Sequence, residues 1–342
     1  MYYLKYRPRT VTELDNSQVR PKILNILNSK NIPHALLFIG SKGMGKTSAA
    51  RIFAKAINCK NTVFSGQPNN VEPCNKCENC LNIDAGSSPD VIEQDAASNR
   101  GIDEIRAIIR DAGYAPMTGN YRVHIIDEAH MITPDAFNAL LKTLEEPPST
   151  AIFILATTNE EKVPKTIVSR CVIVPFGTAK KEDVFHMLDR VAIAENIELQ
   201  PELREIIFTY CEGSFRDAAK ILEDLSIQKK LTPEDAKKYL GVFSMGSLVE
   251  MLEQHDLKTT MTWLSDFAKQ GGNTKKLIEE TLQLLHFELV TKSTGQEERY
   301  PKLTLKKIST LIKYLHEAYS NIKISPIEIL PLEIAVCEFY NS

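Results

Sequence analysis

An α/β fold built on a parallel sheet, followed by all-helical segments, is predicted by three observations on this sequence. Short apolar runs alternate with helical patterns from the start to about residue 178. A glycine-rich loop stands between the first such run and a helical stretch, and beyond about residue 180 only helical spacing remains. Strands that alternate with helices pair in parallel and are covered on both faces, so they read as continuous apolar runs. Five stretches have that form: "HALLFIG" (34–40), "DVIEQD" (90–95), "YRVHIID" (121–127), "AIFILATT" (151–158) and "CVIVPF" (171–176). Each predicts a buried strand.

Residues 180 to about 242 hold apolar residues at helical spacing, as in "EDVFHMLDRVAIAENI" and "PELREIIFTYCEG", punctuated by Gly213 and Pro233. A further helical region runs from "SMGSLVEMLEQHD" to the end, with breaks expected at "GGN" (271–273) and "STGQEERYP" (293–301). A chain of 342 residues suggests two or three domains. Its 43% hydrophobic and 25% charged residues are those of a soluble globular protein. The net charge of -3 excludes a uniformly basic nucleic-acid coat but leaves room for a local basic surface. No apolar run approaches the ~20 residues needed to span a bilayer. The opening "MYYLKYRPRT" lacks the apolar core of a secretion signal, so a cytoplasmic protein with no membrane partner is expected.

The stretch "GSKGMGKTSAA" (40–50) fits the phosphate-binding template G-x-x-x-x-G-K-[ST] through Gly40, Gly45, Lys46 and Thr47. Its backbone from Gly40 through Ser41, Lys42, Gly43, Met44 and Gly45 to Ser48 would cradle the phosphates of ATP at a helix N-terminus. Lys46 would reach the β- and γ-phosphates, and Thr47 would place its hydroxyl on Mg²⁺. "VHIIDEAH" (123–130) is an apolar strand ending in two acids, of which Asp127 would hold Mg²⁺ and Glu128 would polarise an attacking water. Without the loop, the same pair would read as a solvated strand end. Thr157, in "ATTN" (156–159), ends a central strand where open α/β sheets bind ligands; the plain alternative is a strand-ending turn. Arg170 reads either as a surface charge or as a finger offered to another subunit's nucleotide. Arg216 opens a helix and reads either as a lid residue reaching the nucleotide or as an ion-pair partner.

The seven cysteines do not suggest a disulfide frame. Four of them, Cys59, Cys74, Cys77 and Cys80, follow the pattern C-x14-C-x2-C-x2-C. That spacing can close a tetrahedral Zn²⁺ site with no open position, a structural rather than catalytic metal; unpaired thiols are the alternative. The group lies between the helix after the loop and the second strand, and so reads as an insertion.

These segments, together with "DAASNRGIDEIR", "NALLKTLEEPP", "KVPKTIVSRC" and "EGSFRDAAKILED", resemble the bacterial DNA polymerase III gamma/tau family. Its members are ATPase subunits of the sliding-clamp loader and belong to the AAA+ class. The resemblance runs from about residue 4 to 242. It implies an AAA+ P-loop domain over 1–178 with the zinc module at about 59–80, a helical lid over 179–242 and a helical collar over 243–342. It implies that Lys46, Thr47, Asp127 and Glu128 serve ATP hydrolysis, with Thr157 as a first sensor, Arg216 as a second and Arg170 as a finger acting in trans. Tyr6, Arg7 and Pro8 match the segment near the adenine. The implied partners are the loader's delta and delta-prime subunits, further copies of the chain, the sliding clamp and primer-template DNA, within the polymerase III holoenzyme.

Two stretches depart from the family pattern. After "RPRTVTEL" the family has an apolar residue and then Gly-Gln, whereas this chain reads "DNSQVR", so base contacts there do not carry over. "DAASNRG" holds fewer basic residues, which leaves Ser98, Arg100 and the following helix N-terminus for DNA phosphates. Rival readings are a delta-prime-like subunit, a non-hydrolysing ATP-bound scaffold and an AAA+ DNA translocase. The complete phosphate loop argues against the first, and the cysteine insertion against the last.

Overall fold

The computed structural model describes residues 1–29, 31–67, 69–240, 247–269, 272–294 and 300–341. These form two compact units, Met1–Lys229 and Lys230–Ser342. The boundary expected at 242/243 lies outside the described residues.

The first unit runs α1 (Tyr2–Lys5), α2 (Arg20–Leu27), β1 (Ala35–Ile39), α3 (Lys46–Asn58), α4 (Glu78–Ala85), β2 (Val91–Asp95), α5 (Ile102–Ala112) and β3 (Arg122–Asp127). It continues through α6 (Pro134–Glu145), β4 (Ala151–Thr157), α7 (Lys165–Val168), β5 (Val172–Pro175), α8 (Lys181–Ala194), α9 (Pro201–Tyr210) and α10 (Phe215–Ile227). Each expected strand is present within its expected range. The strands form one parallel sheet of order β2-β3-β4-β1-β5. Every residue of β4 is buried, as expected of a central strand covered on both faces, whereas the edge strands fall short of the expected burial: β2 has no buried residue and β5 buries only Val174. On one face, Leu37, Phe153 and Leu155 pack with Ile105 and Ile108 of α5 and with Phe137 and Leu140 of α6. The alternate residues Ile152, Ile154 and Ala156 are buried on the other face.

Because every pairing is parallel, the strands end along one edge. Ile39 lies opposite Thr157, and Asp95 opposite Asp127. Two helix starts of this unit follow capping side chains. Thr133 accepts from Ala136 N with Pro134 at the first helical position, and Ser214 accepts from Asp217 N. Gly213, expected as a break, joins α9 to α10 at φ +72°.

The second unit comprises α11 (Pro233–Tyr239), α12 (Ser247–Gln254), α13 (Leu257–Lys269), α14 (Thr274–Thr294), α15 (Leu305–Asn321) and α16 (Leu330–Tyr340). Leu264, Phe267, Ile278, Leu285, Leu311 and Val336 build its core. The Tyr340 hydroxyl lies 2.8 Å from His255 O and 2.9 Å from Thr260 Oγ1, a polar tie between α16 and the α12–α13 connection. The expected breaks fall between α13 and α14 and between α14 and α15; within them, residues 270–271 and 295–299 lie outside the described residues. No described helix is long and apolar enough to cross a membrane.

At the opposite edge of the sheet, a buried polar knot closes the α/β unit. Asp90 accepts from Met117 N and Thr118 N at 2.6 Å and from Gly119 N at 2.8 Å. Arg122 pairs with both oxygens of Asp111. Beside it His124, 1% exposed, stacks on Phe153 with ring centroids 5.4 Å apart. Neither of its ring nitrogens has a hydrogen-bond partner. Nε2 lies 3.5 Å from Asp111 Oδ2, but that attraction does not prevail: burial, helped by Arg122, brings the imidazole down to about 4. The unfolded chain therefore takes up the proton first as pH falls. Stability is expected to be full above about pH 6.5, to decline between about 6.5 and 4, and to level off below, by an amount on the order of 3 kcal/mol. In urea unfolding at pH 7.5 and 4.5, His124→Phe should lose most of this difference; an unchanged pH dependence would refute the assignment.

Candidate nucleotide site and metal centre

The loop after β1 is shaped by two close approaches. A Cβ on Gly40 would lie 2.8 Å from Phe176 Cβ, and one on Gly43 would lie 2.0 Å from Ser214 Oγ at the start of α10. Gly43 and Gly45 also take left-handed conformations, at φ +81° and +87°. α3 then opens with neither a side-chain cap nor an acid in its first turn. Its first N–H groups and the helix dipole are left to an external anion.

Lys46 is 6% exposed and donates to Gly40 O at 2.7 Å and Ser41 O at 2.9 Å. Burial holds its pKa below the usual lysine value, with Glu128 and Asp127 opposing that shift. The Thr47 hydroxyl donates to Asp127 Oδ2 at 2.6 Å, bringing together the two oxygens expected to share a cation. Glu128 sits at φ +48°, a left-handed conformation that costs a non-glycine residue on the order of 1 kcal/mol. Its Oε2 accepts from Thr158 Oγ1 at 3.1 Å and lies 3.4 Å from His130 Nδ1. His130 Nδ1 is in turn 3.1 Å from the Thr157 hydroxyl.

Lys46, Thr47, Asp127 and Glu128 border a cavity of about 520 Å³. Lys42 through Ser48, Asp127, Glu128 and Arg216 line its loop end, with Tyr6, Arg7 and Pro8 along the side. Arg7 Nε donates to Ser48 Oγ at 2.8 Å. Burial lowers the Arg7 pKa, and the nearby Arg51 and Arg216 act in the same direction. Arg216 N approaches Gly43 O at 3.4 Å, and its guanidinium stands 5.7 Å from the Tyr3 ring. Four cations, Arg7, Lys42, Lys46 and Arg216, line the cavity with four carboxylates, Asp15, Asp95, Asp127 and Glu128, so both an anion and a bridging cation find partners there. The lining also holds the apolar side chains Leu14, Val19, Phe176, Met187, Val191 and Phe215, with the carboxylate of Asp15.

Other expected site residues lie apart from this group. Thr157 is fully buried and does not line the cavity; its hydroxyl is engaged with His130 and the backbone of Asn159. Arg170 pairs with Glu145 and donates to Thr166 O at 2.7 Å, outside the cavity. Ser98 and Arg100 are exposed in the turn after β2, where Ser98 Oγ donates to Asp95 O at 3.2 Å. The sequence does not single out His130 and Thr158, and it marks Asp15 only as the start of a departure from the family pattern. The first two stand beside expected residues in "DEAH" and "ATTN", so adjacency was the available signal.

The metal centre is assembled from the end of α3, the loop before α4 and the first turn of α4. The sulfurs of Cys59, Cys74, Cys77 and Cys80 all lie within 4.8 Å of one another, and those of Cys77 and Cys59 are 3.9 Å apart. Sulfurs about 2.3 Å from a tetrahedral Zn²⁺ would be about 3.8 Å apart. Backbone N–H groups point at the sulfurs: Asn61 N and Cys74 N at Cys59, and Lys76 N and Cys77 N at Cys74. Burial pushes up the Cys59 and Cys80 thiols. At Cys74 burial acts in the same sense but is outweighed by the N–H donors, which bring it down to about 6. The donor set fits a thiophilic divalent cation with no open position.

A family model described as DNA polymerase III, delta subunit matches residues 16–180. The chain is 41% identical over 286 residues to DNA polymerase III subunit tau of Bacillus subtilis (strain 168), covering 82% of this chain and 50% of the relative. It is 31% identical over 360 residues to DNA polymerase III subunit gamma of Buchnera aphidicola subsp. Baizongia pistaciae, covering 98% of this chain and 95% of that protein. The chain thus spans about half the length of the tau relatives it matches and nearly the whole of this gamma relative. Among solved structures, the RuvB Holliday junction branch migration motor of Thermotoga maritima superposes with a TM-score of 0.51 over 76% of this chain and 85% of that one. At 16% identity this likeness concerns the fold alone. With a gamma subunit matched almost end to end, the chain belongs to the gamma/tau family of DNA polymerase III.

Proposed function

We propose that this chain is an ATP-hydrolysing subunit of a sliding-clamp loader. In this reading ATP binding holds the assembly in the shape that opens the clamp on primer-template DNA, and hydrolysis releases both. One observation carries the proposal: Lys46, Thr47, Asp127, Glu128 and Arg216 meet around a single cavity at the uncapped start of α3. Residues 1–178 would hold the nucleotide, 179–242 would form the lid and 243–342 the collar. The partners would be delta and delta-prime subunits, further copies of the chain, the clamp and DNA, in the cytoplasm. Ser98 and Arg100, exposed beside β2, would contact DNA phosphates.

In the proposed hydrolysis, Lys46 leaves the loop carbonyls for phosphate oxygens, and Arg216 adds positive charge from α10. Thr47 Oγ1 and Asp127 Oδ2 would hold Mg²⁺, which neutralises developing phosphate charge when bound. Glu128 accepts a hydrogen bond from the attacking water and draws off its proton as the oxygen bonds to phosphorus and the bond to ADP breaks. Thr158 and His130 orient the Glu128 carboxylate, and Thr157 holds His130.

Lys46→Ala should weaken ATP binding severely, whereas Glu128→Gln should bind ATP normally and lose about 10²–10⁴-fold in turnover. Equilibrium binding and DNA-stimulated phosphate release, measured on a loader reconstituted with clamp and primed DNA, separate the two. Equal affinity and equal turnover in both variants would dismiss the roles. A wild-type chain that binds ATP without DNA-stimulated turnover would point instead to a non-hydrolysing scaffold.

Arg170 lies outside its own cavity, which supports a role at a neighbour's nucleotide. Arg170→Ala should bind ATP at its own site and depress hydrolysis in assemblies by on the order of 10³- to 10⁵-fold. Mixing it with Lys46→Ala chains should restore part of the activity. DNA-independent turnover by monomers, indifferent to Arg170→Ala, would overturn the trans role.

The four thiolates would hold one structural Zn²⁺ whose binding adds to folding energy. Elemental analysis of freshly purified protein should give one zinc per chain, and Cys77→Ala should lose it together with thermal stability. Metal-free, fully stable protein would remove the zinc reading.

A further inference from the structure

One member of a charged pair lines the cavity. Asp15 lines it with a side chain only 8% exposed. Arg190, on α8, reaches it with Nη2 at 2.9 and 3.1 Å from its two oxygens. The other guanidinium nitrogen of Arg190 donates to Tyr6 O at 3.2 Å. One guanidinium on the lid side thus holds both the Tyr6 and Asp15 segments of the opposite wall. The neighbouring Asn16 has no such freedom: its Nδ2 donates to Phe176 O at 2.7 Å and its Oδ1 accepts from Gln18 N at 3.1 Å, which fixes the turn that carries Asp15.

A carboxylate offers about four lone-pair sites. Arg190 Nη2 is the one hydrogen-bond donor to Asp15 among the described residues. A nearly buried anion among Leu14, Met187, Val191 and Phe215 therefore keeps acceptor capacity that only an occupant of the cavity can use. Such an occupant must present a donor beside a flat apolar body. A base edge that carries only acceptors would leave the carboxylate uncompensated, and buried uncompensated charge is strongly disfavoured.

We propose that Asp15 reads the nucleotide base, its carboxylate accepting a hydrogen bond from the exocyclic 6-amino group of adenine while Arg190 positions it. This rests on the reading of the cavity as an ATP site. It gives a function to the "DNSQVR" stretch, where the family pattern has an apolar residue and Gly-Gln. It also couples base recognition to α8, because the residue that orients Asp15 belongs to that helix.

The test compares binding of ATP with that of purine riboside triphosphate, which differs only in lacking the 6-amino group. A hydrogen bond to a charged acceptor is worth roughly 10- to 100-fold in affinity, so the wild-type chain should prefer ATP by about that factor. In the double variant Asp15→Leu/Arg190→Met, which removes the carboxylate without stranding the guanidinium, the ratio should fall toward one through weaker ATP binding. Asp15→Asn, which disturbs packing least, should also reduce the ratio and covers the case in which the double variant does not fold. Equal affinities in the wild-type chain, or an ATP preference that survives in folded variants, would overturn the base-reading role and leave the ATP site standing. Failure of the wild-type chain to bind either triphosphate would remove the ATP reading and this proposal with it.

Discussion

Helix α3 is almost wholly buried, and both chemical centres of the α/β unit are attached to its ends. Lys46 opens it beneath the phosphate-type loop, and Cys59 caps its other end as one of the four sulfurs. Ile52, Phe53 and Ile57 hold it in the core, each side chain worth about 1.5–3 kcal/mol in burial. Near the cysteine end, the Lys55 ammonium is 1% exposed and is matched by Asn75 Oδ1 at 2.7 Å and Asp84 Oδ1 at 2.9 Å. Asn75 lies between Cys74 and Cys77 at φ +54°, so a helix side chain holds the turn between two ligands. The cysteine insertion is thereby bolted to the same rod that presents the loop.

The strand edge supplies the second half of the site. Parallel register brings the ends of β1, β3 and β4 side by side, and Gly40 N donates to Thr157 O at 3.2 Å across that edge. At the end of β3, left-handed Glu128 bends the chain sharply, with its own N–H on Asp127 Oδ1. The carboxylate is then held by Thr158 and His130 rather than left to solvent. Burial, seconded by the nearby Arg216, lowers the proton affinity of both Arg7 and Lys46, as expected where cations gather in a site built for an anion.

The strands, the loop, the acid pair and the four-cysteine spacing were all legible along the chain, because each is a local pattern. Burial on both faces makes β4 continuously apolar; close backbone approach requires glycine at positions 40 and 43; and a metal cage needs closely spaced thiols. Arg170 was legible as either a surface charge or a finger for another subunit's nucleotide, and it lies outside its own cavity. Contacts between distant segments were not legible. That Thr158 rather than Thr157 touches Glu128 depends on how β4 ends against β3, a matter of sheet register. The pairing of Arg190 with Asp15, 175 positions apart, arises only when α8 folds over the N-terminal segment. In the sequence, Asp15 was merely a departure from a family pattern. Local order is written in the spacing of residue types, whereas the partner of a buried charge is chosen by tertiary packing, since only packing determines which donor reaches it when water is excluded.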